Sequence, residues 1–204
     1  MPIPEAPGRR ERKRNRTLDH LAATAFRLFE ARGYDSVTME QVAAEADVAK
    51  GTLYKYFPVK EALLAHQFQC EIASGMGSLW PALEQLSSFA TQLRQLLHAS
   101  AQWNEARRIY LPHYVRYQFT TSNFDGSAAT RAHRPSGARQ IFERLCRAGQ
   151  DRGDVRKDLS AWQLAVMLEC LCLGAIMIWL GRPDGSLQQE FDALLSLALT
   201  GVSP

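Results

Sequence analysis

The sequence predicts an all-α protein: a small N-terminal helical head followed by a larger helical body. Three observations lead there. Apolar residues recur at three- and four-residue intervals, with no alternating strand pattern and no internal repeat. The Ser/Thr-x-x-Gln spacing that starts helices occurs at Thr38/Gln41, Ser160/Gln163 and Ser186/Gln189. Residues 38–57, TMEQVAAEADVAKGTLYKYF, read as a helix, a tight turn and a second short helix. At 204 residues, with 46% hydrophobic and 22% charged side chains, the chain can build a real core and fits one domain or two.

Taken in order, residues 1–16 form a basic arm. It carries Arg9, Arg10, Arg12, Lys13, Arg14 and Arg16 against two acids, and Pro2, Pro4, Pro7 and Gly8 predict that it is disordered until it meets a polyanion. A first helix comes next, from about Thr17 to Arg32, with Leu18, Leu21, Ala25, Leu28 and Phe29 as its inner stripe and Gly33 as its stop. Thr38 caps a second helix beginning at Met39, whose inner face is Val42 and Ala43. The run 46–49 breaks it, and Asp47 is a residue type that tolerates the left-handed conformation of such a turn. In the third helix Leu53 and Phe57 lie on one side while Lys50, Thr52 and Lys55 fall elsewhere, and Pro58 bounds it. A fourth helix begins near Val59 with Leu63, Leu64, Phe68 and Ile72, and Gly75, Gly77, Trp80 and Pro81 mark a break. Helical regions over 88–101 and 105–121, the latter kinked at Pro112, lead to the turn-rich SNFDGSAAT. A helix over 136–152 then ends at Gly153, and the capping spacings start the last two helices at Ala161 and Leu187.

Charge is concentrated in the head. Residues 1–60 hold 11 Lys and Arg against 8 acids, and residues 61–204 hold 13 of each, so the whole net charge of +3 sits beside the helix pair. A basic arm preceding a helix pair with one apolar and one polar face is a device for reading DNA. The stretch from about Arg16 to Leu64, with AFRLFEARGYDSVTMEQVA, the turn, KGTLYKYF and then VKEALL, resembles the signature of TetR-family transcriptional regulators. The resemblance implies a three-helix DNA-binding domain over 17–64 and a helical effector-binding and dimerisation domain over 65–204. It further implies Thr38, Tyr54 and Lys60 on phosphates, Lys50, Gly51, Thr52 and Lys55 facing the major groove, and Glu40 within reach of a base edge. Two positions depart from the family pattern: Ala49 stands where members often carry a hydroxyl residue that caps the third helix, and Asp47 where glycine is usual.

For the body, the spacing of Tyr110, His113, Tyr114 and Tyr117 puts them on one helix face, which with Trp103 is the candidate lining of an effector pocket. The run from Leu164 to Leu180 has Glu169 as its single charge and touches the lower length limit for a bilayer span, but a mid-helix carboxylate opposes insertion, and a buried helix covered by a second copy is expected. Trp162, Val166, Cys170, Leu173 and Met177, with Phe191, Leu194, Leu195 and Ala198 of the last helix, are the expected homodimer interface.

Cys70, Cys146, Cys170 and Cys172 show no metal spacing, and no nucleotide loop, GxSxG or HExxH occurs. The expectation is therefore no cofactor, no metal, no membrane, no catalysis and a cytoplasmic location, no apolar leader following Met1. The function implied is a repressor released from an inverted-repeat operator by a small-molecule effector. The alternative is an architectural or activator-type DNA-binding protein without such a switch.

Overall fold

In a computed structural model of the chain, residues 8–121 and 137–202 are described, all their regular structure is helical, and the contacts divide the chain into two compact units, residues 1–71 and 72–204. The predicted boundary at 64/65 moves because the helix that crosses it, α4 (Lys60–Glu84), commits Leu63, Leu64 and Phe68 to the core of the head before it leaves.

The head begins with α1 (Arg9–Arg32), eight residues longer than expected. Arg9 to Arg16 are helical rather than disordered: Arg12 N–H donates to the Gly8 carbonyl at 3.0 Å. Arg, Lys and Glu are good helix formers, and lengthening a helix already nucleated by its buried Leu21–Phe29 segment costs little. Gly33 ends it with φ +82°, a backbone region that penalises any side chain.

Thr38 and Gln41 form the predicted capping box of α2 (Met39–Glu45), with Gln41 N–H donating to Thr38 Oγ1 at 3.2 Å and Thr38 N–H to Gln41 Oε1 at 2.9 Å. The turn after it closes as a Schellman motif. Val48 N–H reaches the Ala43 carbonyl at 3.0 Å, Asp47 N–H reaches that of Ala44 at 3.2 Å, and Asp47 takes the left-handed position with φ +52°. This explains how Asp replaces glycine at the turn. Ala49 does precede α3 (Lys50–Tyr56) without a side-chain cap. Leu21, Phe29, Val42, Leu53, Leu64 and Phe68 fill the core, each worth about 1.5–3 kcal/mol of burial.

In the body, α4 runs through Gly75 and Gly77 without the expected break, and Pro81 is absorbed in its final turn. Then come α5 (Phe89–Glu105), α6 (Leu111–Thr121), α7 (Gly137–Arg152), α8 (Ala161–Leu180) and α9 (Leu187–Val202). The predicted region 105–121 is shorter at its start, because residues 106–110 form turns. Pro112 therefore lies in the first turn of α6, where its missing N–H costs nothing, and does not kink it. The SNFDGSAAT segment lies outside the described residues. Ser160 makes a full capping box with Gln163, and Ser186 accepts from Gln189 N–H at 3.4 Å, so α8 and α9 start as predicted.

Helix α8 is the axis of the body, packing on α6, α7 and α9, while α9 also packs on α5. It is long and apolar enough by length and composition to cross a membrane. Its one charge is nevertheless satisfied within the chain: Arg139 of α7 donates to Glu169 Oε2 from both Nε and Nη2 at 2.6 Å, with both side chains 5% exposed.

Helix α7 approaches the loop before α8 so closely that a side chain at Gly149 would have to displace Val155. A Cβ there would overlap Val155 Cγ2 and stand 3.2 Å from Val155 Cβ. Gly149→Ala gains about 1 kcal/mol of helix propensity but overpacks at about 1–3 kcal/mol, so a net loss of up to about 2 kcal/mol is expected in urea unfolding. An unchanged midpoint would mean that Val155 gives way freely.

Candidate nucleic-acid interface

Helices α2 and α3 present one polar surface. Thr38, Glu40, Lys50, Gly51, Thr52, Tyr54 and Lys55 are all exposed, while Leu53 on the opposite side of α3 is fully buried. The face expected to meet DNA is thus the face the core leaves outward.

Its charges are partly paired. Lys50 Nζ lies 2.5 Å from Glu40 Oε1, the Tyr54 hydroxyl donates to the same oxygen at 3.4 Å, and Lys50 sits 5.6 Å from the Tyr54 ring centroid. The Lys50 hydrogen bond holds the Glu40 carboxyl below its ordinary range and raises the Lys50 ammonium. With both side chains more than half exposed, such a pair is weak and can be exchanged for a phosphate or a base edge.

Lys60 is arranged differently from the expectation of a phosphate contact. Its ammonium donates to the Tyr34 carbonyl at 2.9 Å and the Asp35 carbonyl at 3.5 Å, and lies 4.6 Å from the Tyr34 ring centroid. At least two of its three donors clamp the α1–α2 loop onto the start of α4, a structural task. A carbonyl pair is not visible in sequence, so that role could not have been read there.

In the body, the aromatic set divides. Tyr110 and Tyr114 are core residues, and Trp103, His113 and Tyr117 are half-buried, with the Arg107 guanidinium 4.5 Å from the Trp103 ring centroid. Burial first, and then the Glu169 charge, push the Tyr114 phenol far above its ordinary value, against a hydrogen bond from Gln118. An apolar cleft of about 220 Å³ lies elsewhere, among Phe89, Cys146, Val155, Leu164, Met167 and Leu197 with their neighbours, and contains none of the five. Burial pushes the Cys146 thiol up to about 12, so it behaves as a packing group.

The expected dimer residues need correction. Phe191, Leu194, Leu195 and Ala198 are 1–6% exposed and turned inward, α9 packing on α5 and α8, and Leu173 is buried as well. Trp162, Val166 and Cys170 are half-buried, and Met177 is 50% exposed. Other large apolar side chains left outside on these two helices, among the described residues, are Met167, Leu171 and Ile178 of α8 and Leu197 of α9. That stripe is turned by roughly a quarter of the helix circumference from the one expected. Both faces of α8 are apolar, so sequence could not say which one α6, α7 and α9 would cover.

Comparisons with known proteins agree with this geometry. Residues 21–66 match the family model "Bacterial regulatory proteins, tetR family". The chain is 43% identical over 58 residues to the transcriptional regulator TcmR of Streptomyces glaucescens, a match spanning 28% of this chain and about a quarter (26%) of that protein. It is 24% identical over 193 residues to the putative mycofactocin biosynthesis transcriptional regulator MftR of Mycobacterium tuberculosis, covering 94% of this chain and 93% of that one. In fold, it is similar to FadR of Thermus thermophilus, a TetR-family repressor in complex with lauroyl-CoA, with TM-score 0.73, 24% identity and coverage of 90% and 94%. The helix pair, its capping and turn geometry, and these matches identify residues 21–66 as a DNA-binding segment of the bacterial tetR family of regulatory proteins, on a chain whose whole fold is similar to a TetR-family repressor.

Proposed function

We propose that this protein is a homodimeric, sequence-specific DNA-binding repressor whose operator affinity is lowered by a small-molecule effector. The observation that carries it is α3: a core-anchored helix whose Lys50, Gly51, Thr52, Tyr54 and Lys55 all face solvent behind a capped α2. Two such helices in a two-fold dimer would read half-sites about 34–36 Å apart or a multiple of that, hence an inverted repeat. The basic residues at the start of α1 add charge for the phosphate backbone.

Effector control is supported by the size of the body and by the lauroyl-CoA held by the similar T. thermophilus repressor. Among the residues first expected to line a pocket, Trp103, His113 and Tyr117 retain partial exposure and are the proposed contacts, with Tyr110 and Tyr114 as the core behind them. Helix α4 belongs by chain continuity to both units, so an effector that prefers a body with α4 shifted would change the spacing of the two heads. A 100-fold loss of operator affinity requires about 2.7 kcal/mol of such coupling. The cytoplasm is the proposed location, with operator DNA and a second copy as partners.

Selection of fragments from a random-sequence DNA pool at two salt concentrations tests this reading. An inverted repeat that survives the higher salt is the expected result, and enrichment without a motif that vanishes with salt would leave only charge-driven, architectural binding. With the repeat in hand, Thr52→Ala or Lys55→Ala should cost roughly 1–3 kcal/mol at particular base pairs and relax preference there. Uniform weakening on all sequences would remove α3 from the major groove.

A further inference from the structure

We infer that Asp19, His66 and Cys70 form a site for a late first-row divalent cation of the zinc class, which would staple α1 to α4 within the head. The inference stands on side chains the DNA-reading face does not use. His66 and Cys70 are four apart on α4 and so project from one face on successive turns, while Asp19 comes from α1. His66 Nε2 lies 2.7 Å from Asp19 Oδ1 and Cys70 Sγ donates to the same oxygen at 3.5 Å; the three ligand atoms are all within 4.8 Å of one another. The His66 ring stands edge-on to Phe57 with centroids 5.5 Å apart, which fixes the direction of Nε2, and its side chain is only 10% exposed.

The donor chemistry selects the ion. One imidazole nitrogen, one thiolate sulfur and one carboxylate oxygen suit Zn²⁺ and its neighbours and are a poor set for Mg²⁺ or Ca²⁺. Tetrahedral Zn–S and Zn–N bonds of about 2.3 and 2.0–2.1 Å imply ligand-to-ligand separations of roughly 3.3–3.8 Å. The Asp19–Cys70 separation of 3.5 Å already fits. The Asp19–His66 pair must open by about half an ångström, which Asp19, with 54% of its side chain exposed, can supply by rotating. That same exposed side leaves a fourth position for water. On binding, Cys70 gives its thiol proton to solvent and His66 coordinates as the neutral ring.

Sequence reasoning missed the site because it compared cysteines with cysteines and histidines with histidines. The signal present was the mixed pair His66-x3-Cys70, which acquires its third member only when α1 packs on α4.

The test is Co²⁺ titration of the full-length protein, carrying no added histidines, read by absorption and followed by Zn²⁺ competition. The expected result is one Co²⁺ per chain with a thiolate-to-cobalt charge-transfer band and the intense ligand-field bands of four-coordination, displaced by Zn²⁺ and indifferent to excess Mg²⁺. Cys70→Ser should abolish the charge-transfer band, and Asp19→Asn, an isosteric change of a side chain 54% exposed whose folding is checked by circular dichroism, should weaken binding at least tenfold. A charge-transfer band that persists in Cys70→Ser would assign the thiolate to another cysteine and overturn the proposal. So would the absence of any band, or a Co²⁺ affinity unchanged by Asp19→Asn.

Discussion

Glu169→Ala is expected to destabilise the body by about 3–5 kcal/mol, because it removes the carboxylate that accepts two hydrogen bonds from the Arg139 guanidinium in a site where that side chain is only 5% exposed. The pair itself is not what makes the body stable. Its attraction at 2.6 Å mainly offsets the cost of taking both ions out of water, so the double change Arg139→Met with Glu169→Leu should fall near the wild-type value or above it. The coupling between the two singles and the double is the quantity of interest. All four tryptophans, Trp80, Trp103, Trp162 and Trp179, lie in the body, so urea unfolding detected by tryptophan fluorescence reports this unit without interference from the head. A single-mutant loss below about 1 kcal/mol would mean that water reaches Arg139 and that the α7–α8 contact is wetter than its burial indicates. If the double mutant were as unstable as the singles, the pair would instead be needed to set the register of α7 on α8.

How much could be read from the sequence depends on how local each determinant is. Capping spacings act within one helical turn, so Thr38, Ser160 and Ser186 located the starts of α2, α8 and α9 to the residue. The turn at Asp47 was legible for the same reason, since its left-handed backbone depends on one side chain. The extent of α1 was not, because Pro2, Pro4 and Pro7 speak only for the residues around them, while Arg9 to Arg16 are carried into helix by the buried Leu21–Phe29 segment downstream. Lys60 illustrates the limit at the site. Its position at the start of α4 was predicted, but its bonds run to backbone carbonyls 25 and 26 residues away, and only tertiary structure brings those to it. Exposed α3 residues needed no such information, since the core side of that short helix is fixed by Leu53.

Ile178→Glu should convert the proposed dimer to monomers and lower affinity for the proposed inverted repeat by about 10²–10⁴, while leaving affinity for a single half-site unchanged. Ile178 is 50% exposed in the isolated chain and shares a stripe with Met167, 52% exposed, and Leu171, 37% exposed, with Leu197 of α9 at 61%. Left in water, such a row is the kind of surface that marks an interface, and Met167, Leu171 and Leu197 also line the apolar cleft. A two-fold axis through this stripe would bring the introduced carboxylate close to its symmetry mate in an apolar setting, a like-charge juxtaposition that costs several kcal/mol. The variant's own fold should survive, since the side chain already meets solvent, and tryptophan-detected unfolding checks that. Phe191→Ala provides the opposite signature. Phe191 is 1% exposed, so its truncation should cost about 3–5 kcal/mol of body stability whatever happens to association. Sedimentation at micromolar concentration separates the cases. If Ile178→Glu remained dimeric, the two copies would have to meet on another face, and the half-buried Trp162, Val166 and Cys170 would be the next to change.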